Sequence, residues 1–186
     1  MRWFPVADFQ FICSEVQRVL RKYDETDPFR LCRAMGISVY FSPMGTHPES
    51  CKGFFLCQSR IKSITINSDL SEEFQRIICA HELGHAILHK DQSGVKAFHD
   101  FALFDAASRF EYEANIFAAE YLLKDTDVLE LLNDDLSFFQ AAAQLYVPAE
   151  ILDFKFRTLK WKGYKVIDAP LRANSNWLKN APDGGQ

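Results

Sequence analysis

No apolar run in this sequence approaches the length of a membrane span. No signal peptide is expected at its start, because Asp8 and Glu15 interrupt the first apolar residues and no small-residue cleavage pattern follows. Cysteines never pair as Cys-x-x-Cys, and Cys13, Cys32, Cys51, Cys57 and Cys79 are odd in number. Both facts argue against a disulfide framework and for reduced thiols in a cytoplasmic protein. Cys51 and Cys57 are expected as two buried thiols of a strand pair. Positive charge is not in excess: the net charge is −4, so the whole molecule is not built to coat nucleic acid. Internal repeats and low-complexity segments are also missing.

What is present is an ordinary globular composition. The 186 residues, 48% of them apolar and 25% charged, suffice for one domain and are marginal for two. Seventeen Phe point to a core rich in aromatic rings. Charge is uneven along the chain. Acids dominate residues 111–135, whereas Lys155, Arg157, Lys160, Lys162 and Lys165 have no acid among them and read as a solvated basic surface.

Taken in order, residues 7–22 form an amphipathic helix with Phe9, Ile12, Cys13, Val16, Val19 and Leu20 on its apolar stripe. Asp27-Pro28 caps a short helix running to Met35, and Gly36 ends it. Residues 37–41 alternate as a strand. Residues 51–57 and 61–66 form a hairpin that turns near Gln58-Ser59-Arg60 and leads into a long helix. Residues 90–108 read as a lid or a partly helical loop. Helical spacing returns over 109–123, 125–132, 136–146 and 148–160. The fold class is α+β, mainly helical, with residues 1–160 as one domain. Residues 161–186 form a C-terminal extension, expected to be extended and frayed.

The long helix carries His81-Glu82-Leu83-Gly84-His85. Residues four apart share one helical face, so His81 and His85 can hold one metal ion. Glu82 then lies close enough to take a proton from water at that metal. Ser71 suits the N-cap, and Glu72 and Glu73 suit the first turn beside the positive end of the helix dipole. Gly84 costs the helix roughly 1 kcal/mol against Ala, a cost explained by close approach of a strand, a substrate or a second helix. The bland reading of the same motif is a buried helix with two structural histidines.

A catalytic zinc needs three protein ligands and one open position. His89 stands about 12 Å of helical rise from His81, too far to share the ion, and reads as a helix-terminal cation or a satisfied surface imidazole. Downstream, Glu111, Asn115, Ala118, Ala119 and Leu122 share one helical face. Glu111 can reach the metal, the Asn115 amide can orient a ligating imidazole, and the small residues let a second helix pack closely. Glu113 is rotated off that face by roughly 160°, so Glu111 is preferred as the third ligand.

His81-Glu-Leu-Gly-His-Ala-Ile-Leu-His89 followed by Glu111-Tyr-Glu-Ala-Asn-Ile-Phe-Ala-Ala-Glu-Tyr-Leu-Leu123 resembles the ImmA/IrrE family of zinc metallopeptidases. Lys52-Gly53-Phe54 and Ile64-Thr-Ile-Asn67 add to the resemblance, which spans residues 28–160 by element order. Where the family often has Met-Pro after the Leu-Leu pair, this chain has Lys124-Asp125. The resemblance implies a gluzincin-like, zincin-type fold of helices around a small three-stranded sheet packed on the metal-site helix. It also implies Zn2+ on His81, His85 and Glu111, with Glu82 as general base. Family members studied as regulators cleave transcriptional repressors, often in mobile elements. The implied partner is therefore a protein substrate, a helix–turn–helix repressor.

His99, Tyr112 and Tyr146 are open alternatives for an oxyanion donor, and residues 61–66 are the expected edge for an extended substrate. Two other functions compete with regulatory proteolysis. One is a non-catalytic zinc-binding sensor or partner-binding module. The other is a DNA-binding regulator, drawn from the helix–turn–helix rhythm of residues 141–152 and the basic run after it, with the net acidity against it.

Overall fold

The computed structural model describes residues 8–89, 104–133 and 136–180. Helix α1, Phe9–Tyr23, starts where the Asp8 carboxylate accepts the Phe11 N–H, and it buries Ile12, Cys13, Val16 and Val19. Helix α2, Pro28–Ala34, starts where Asp27 accepts from the Arg30 N–H. Gly36, at φ +70°, then turns the chain into strand β1, Ile37–Ser42. Strands β2, Gly53–Gln58, and β3, Ile61–Asn67, form the hairpin. Its two turn residues, Ser59 and Arg60, both have positive φ, the conformation whose twist matches a two-residue hairpin.

The sheet order is β1-β3-β2, with β1 parallel and β2 antiparallel to β3. Residues 61–66 are therefore the centre of the sheet and not the edge expected for a substrate, since both flanks of β3 are paired. Nor do Cys51 and Cys57 face each other as buried thiols: Cys51 precedes β2, Cys57 lies within it, and both are half-buried.

Helix α3, Glu72–Leu88, is capped by Ser71, whose hydroxyl accepts from the Phe74 N–H. From Ile77 to Ile87 every residue is buried, as befits a helix enclosed on all sides. The sheet lies on one side of it and helix α4, Phe104–Leu122, on another. Two glycines make this sandwich possible. A Cβ on Gly84 would stand 3.1 Å from Ala114 Cα in α4, and one on Gly53 would stand 2.5 Å from Ile78 Cγ2. The close approach expected at Gly84 is thus that of a second helix. Helix α4 begins earlier than its periodicity indicates, at Phe104, while residues 90–103 of the expected lid lie outside the described residues.

Helix α5, Asp125–Asn133, is followed by α6, Phe138–Gln144, which opens with a Ser137–Gln140 capping box. Helix α7, Ala149–Trp161, buries Ile151 to Phe156, Thr158 and Leu159. Lys155, Arg157 and Lys162 of the basic run are therefore no solvated surface, whereas Lys160 and Lys165 are exposed. Lys155 is 1% exposed and pairs with Glu120 and Asp125. Lys162 pairs with the same two acids, Arg157 with Asp153, and Lys160 with Asp168. Beyond α7 the chain is irregular until a short helix α8, Trp177–Asn180, where Trp177 and Leu178 are buried. The fold is α+β and mainly helical, with one small sheet. Among the described residues no helix is long and apolar enough to cross a membrane.

Candidate metal centre

Helix α3 presents His81 and His85 one turn apart, with their Nε2 atoms 3.1 Å from each other. From α4 the Glu111 carboxylate lies 3.3 Å from His81 Nε2 and 3.6 Å from His85 Nε2. All three side chains are buried, and one ligand atom of each lies within 4.8 Å of the others. Ligand atoms held 2.0–2.1 Å from a tetrahedral ion stand about 3.3 Å apart. The three observed separations bracket that length, and two imidazole nitrogens with a carboxylate suit a divalent transition metal. The donors therefore fit a metal both in spacing and in chemistry.

Burial works against a charged His81, but the Glu111 carboxylate outweighs it and raises the pKa of the ring above the ordinary histidine value. The Glu82 charge and the nearby amide of Asn115 act in the same direction. Its amide N–H donates to the Ser175 carbonyl at 2.8 Å, tying α4 to the segment before α8. His81 Nδ1 and Asn115 Oδ1 are both buried without a hydrogen-bond partner. The amide expected to orient an imidazole thus lies beside one without a formed hydrogen bond.

A cavity of about 170 Å³ opens over these groups. His81, Glu82, His85 and Glu111 line its floor, residues 49–55 form a wall, and Leu178 of α8 borders it. Asn67 at the end of β3 holds that wall in place. Its amide donates to the Gly45 and Cys51 carbonyls and accepts from the Met44 and Asp69 N–H groups. The flank of the sheet beside the site is therefore β2. Lys52 and Leu178 are cavity residues that sequence reasoning did not single out for the site. Only the Lys52-Gly53-Phe54 match hinted at the first, and no local signal marks the second.

The remaining sequence candidates lie elsewhere. Glu113 points away from the His81–His85 pair and accepts from His89 Nε2 at 3.0 Å and Arg109 Nε at 2.7 Å. Burial opposes its ionised form, but these two partners hold its carboxyl below the usual range. His89 is buried, not a surface imidazole, and its Nδ1 lies 3.1 Å from His85 Nδ1. Tyr146 is 78% exposed at a positive-φ turn, and Tyr112 packs on Phe154 and Arg157. Neither tyrosine lines the cavity; His99 lies outside the described residues. Helix α7 buries the faces with which a recognition helix would read a groove, and its basic residues are engaged in ion pairs.

The family described as the IrrE N-terminal-like domain matches residues 32–157. An immunity region protein of Bacillus phage phi105 is 35% identical over 147 residues, covering 79% of this chain and 90% of that protein. Metallopeptidase ImmA of Bacillus subtilis is 25% identical over 150 residues, covering 77% of this chain and 83% of that protein. The match covers both helices that bring His81, His85 and Glu111 together and the wall formed by residues 49–55, and on that ground the chain belongs to the ImmA/IrrE family of metallopeptidases.

Proposed function

We propose that the chain is a zinc-dependent endopeptidase of the cytoplasm that cuts a regulatory protein, a transcriptional repressor of the helix–turn–helix class. The observation that carries this reading is the spacing of His81 Nε2, His85 Nε2 and the Glu111 carboxylate at the floor of an open cavity. His81, His85 and Glu111 hold the ion. A divalent ion bound there supplies Lewis acidity and makes water a nucleophile near neutral pH. Glu82, on the same floor, takes the proton of the attacking water and returns it to the leaving amine. The wall formed by residues 49–55 gives an extended peptide a flank to follow, which favours internal cleavage. The immunity-region name of the phage relative supports a regulatory target. Residues 1–160 serve as the peptidase domain, with 161–186 as an extension whose Leu178 borders the cavity.

The second reading, a sensor that keeps zinc only for structure, needs no base beside the ion. Glu82→Gln separates the two. The test incubates both forms with a helix–turn–helix repressor from the same genetic element and measures cleavage and bound zinc together. The expected result is a loss of about 10²- to 10⁴-fold in cleavage, with zinc content unchanged. Equal cleavage by the Gln form would overturn the assignment.

A further inference from the structure

We propose that His89 and Glu113 are positioning residues that fix the tautomer of His85 and so keep its Nε2 lone pair available to the metal. The inference rests on the reading of His81, His85 and Glu111 as ligands, but it concerns the opposite side of the His85 ring.

Hydrogens can be placed one after another along a chain of four side chains, from Arg109 through Glu113 and His89 to His85. Glu113 meets Arg109 Nε at 2.7 Å. A guanidinium is always charged and its nitrogens only donate, so this Glu113 oxygen accepts in an ion pair with Arg109, and the carboxylate of that pair is ionised. The other oxygen lies 3.0 Å from His89 Nε2. An ionised carboxylate can only accept, so the hydrogen stands on His89 Nε2. In its neutral form, the form His85 Nδ1–H needs as an acceptor, the His89 ring has one N–H and one lone pair, and with the N–H at Nε2 the lone pair stands on Nδ1. That atom is 3.1 Å from His85 Nδ1, so His85 Nδ1 carries the hydrogen between them. His85 Nε2 then has the lone pair, and it is the atom that faces His81 and Glu111. If the chain ran the other way, His85 Nε2 would hold a hydrogen where a ligand must have none. The His89 ring is held in place by burial and by Phe110, at 4.6 Å between centroids. This places the His89 ring between the His85 ligand and Glu113, an extended form of the carboxylate–histidine support found behind metal-bound imidazoles.

Glu113→Gln tests the direction of the chain at nearly constant shape. Arg109 will take the one amide oxygen, the amide N–H will meet His89 Nε2, and the hydrogens along the chain will reverse. Zinc affinity, measured by chelator competition, is expected to fall about 10- to 100-fold. The melting temperature of the zinc-free protein serves as the control for folding. Adding Arg109→Ala to Glu113→Gln releases the amide oxygen to accept from His89, and should recover much of the affinity, which no merely structural role predicts. Wild-type affinity in Glu113→Gln overturns the inference and leaves the three-ligand reading standing. Failure of the wild-type protein to bind zinc overturns both. Should the variants not fold, nitrogen-15 chemical shifts of the wild-type histidines decide. Hydrogen on His89 Nε2 and His85 Nδ1 supports the inference, and the opposite tautomers overturn it.

Discussion

Two of the buried carboxylates of helix α4, Glu120 and Glu111, sit in opposite surroundings. Glu120 meets Lys155 at 2.7 Å and also Lys162, with Thr158 donating at 3.1 Å and Asp125 sharing both lysines. Two acids face two ammonium groups, so this cluster contains its own cations. Glu111 meets two imidazoles and shares the cavity floor with Glu82. That cluster has lone pairs and negative charge converging on one point, and an opening to solvent. Both are buried and polar, so burial of charge alone does not mark a functional site. What distinguishes them is whether the charges already balance: a neutral, closed cluster stabilises the fold, while an anionic, open one has room for a cation.

The largest test of this contrast is Lys155→Met. Removing one member of a buried ion network leaves the others uncompensated and costs about 3–5 kcal/mol. Urea denaturation of the zinc-free protein should show that loss, while zinc affinity of the folded fraction stays at the wild-type value. Glu111→Gln should do the reverse. Free zinc at 100 times its dissociation constant stabilises a one-site protein by about 2.7 kcal/mol, and this gain should largely disappear in the variant. Thermal melts with and without zinc measure it. A Lys155→Met protein that lost its zinc response as fully as Glu111→Gln would break the comparison.

A smaller test concerns how the two helices meet. Gly84→Ala places a Cβ 3.1 Å from Ala114 Cα and 3.2 Å from Phe117 Cβ, so α3 and α4 must separate slightly. Overpacking of this kind costs about 1–3 kcal/mol. Gly36→Ala meets no atom within 4 Å but holds φ at +70°, a strain of about 1–2 kcal/mol. The stability losses should be similar, yet only Gly84→Ala should weaken zinc binding, because only that change moves Glu111 relative to His81 and His85.

Much of this was legible locally. The caps at Asp27 and Ser71 and the helix breaker Gly36 act within one turn, so residue type at a fixed offset is enough to find them. The approach of Glu111 to the histidines was legible because helical geometry alone sets Glu111 and Glu113 on different faces. The misreadings concern partners distant in the chain. The run from Lys155 to Lys165 has no acid of its own, and Glu120 and Asp125, the partners of Lys155 and Lys162, sit on α4 and α5. Likewise, a hairpin sequence does not say which of its strands β1 will join, and β1 joins β3, which leaves β2 beside the cavity. His89 looked like a surface group because it ends α3, yet α4 covers it through Phe110 and Glu113.

The smallest expected effect sharpens the same contrast through pH. Burial tends to raise the Asp125 pKa, but hydrogen bonds from Lys155 and Lys162 outweigh it and hold the carboxyl below its ordinary value of 3.8. A depressed folded-state pKa contributes stability that is complete above the unfolded value and fades as pH falls through the folded one. Asp125→Asn should therefore be less stable than wild type by a constant amount between about pH 7 and pH 5, and the gap should shrink below about pH 4. Urea midpoints across that range provide the measurement. The loss at neutral pH should be smaller than for Lys155→Met, because the Asp125 side chain is 25% exposed and Glu120 remains to balance Lys155. A gap that stayed constant down to about pH 3 would mean that Asp125 gains nothing from its lysines on folding, and the self-balanced cluster would then reduce to the Lys155–Glu120 pair.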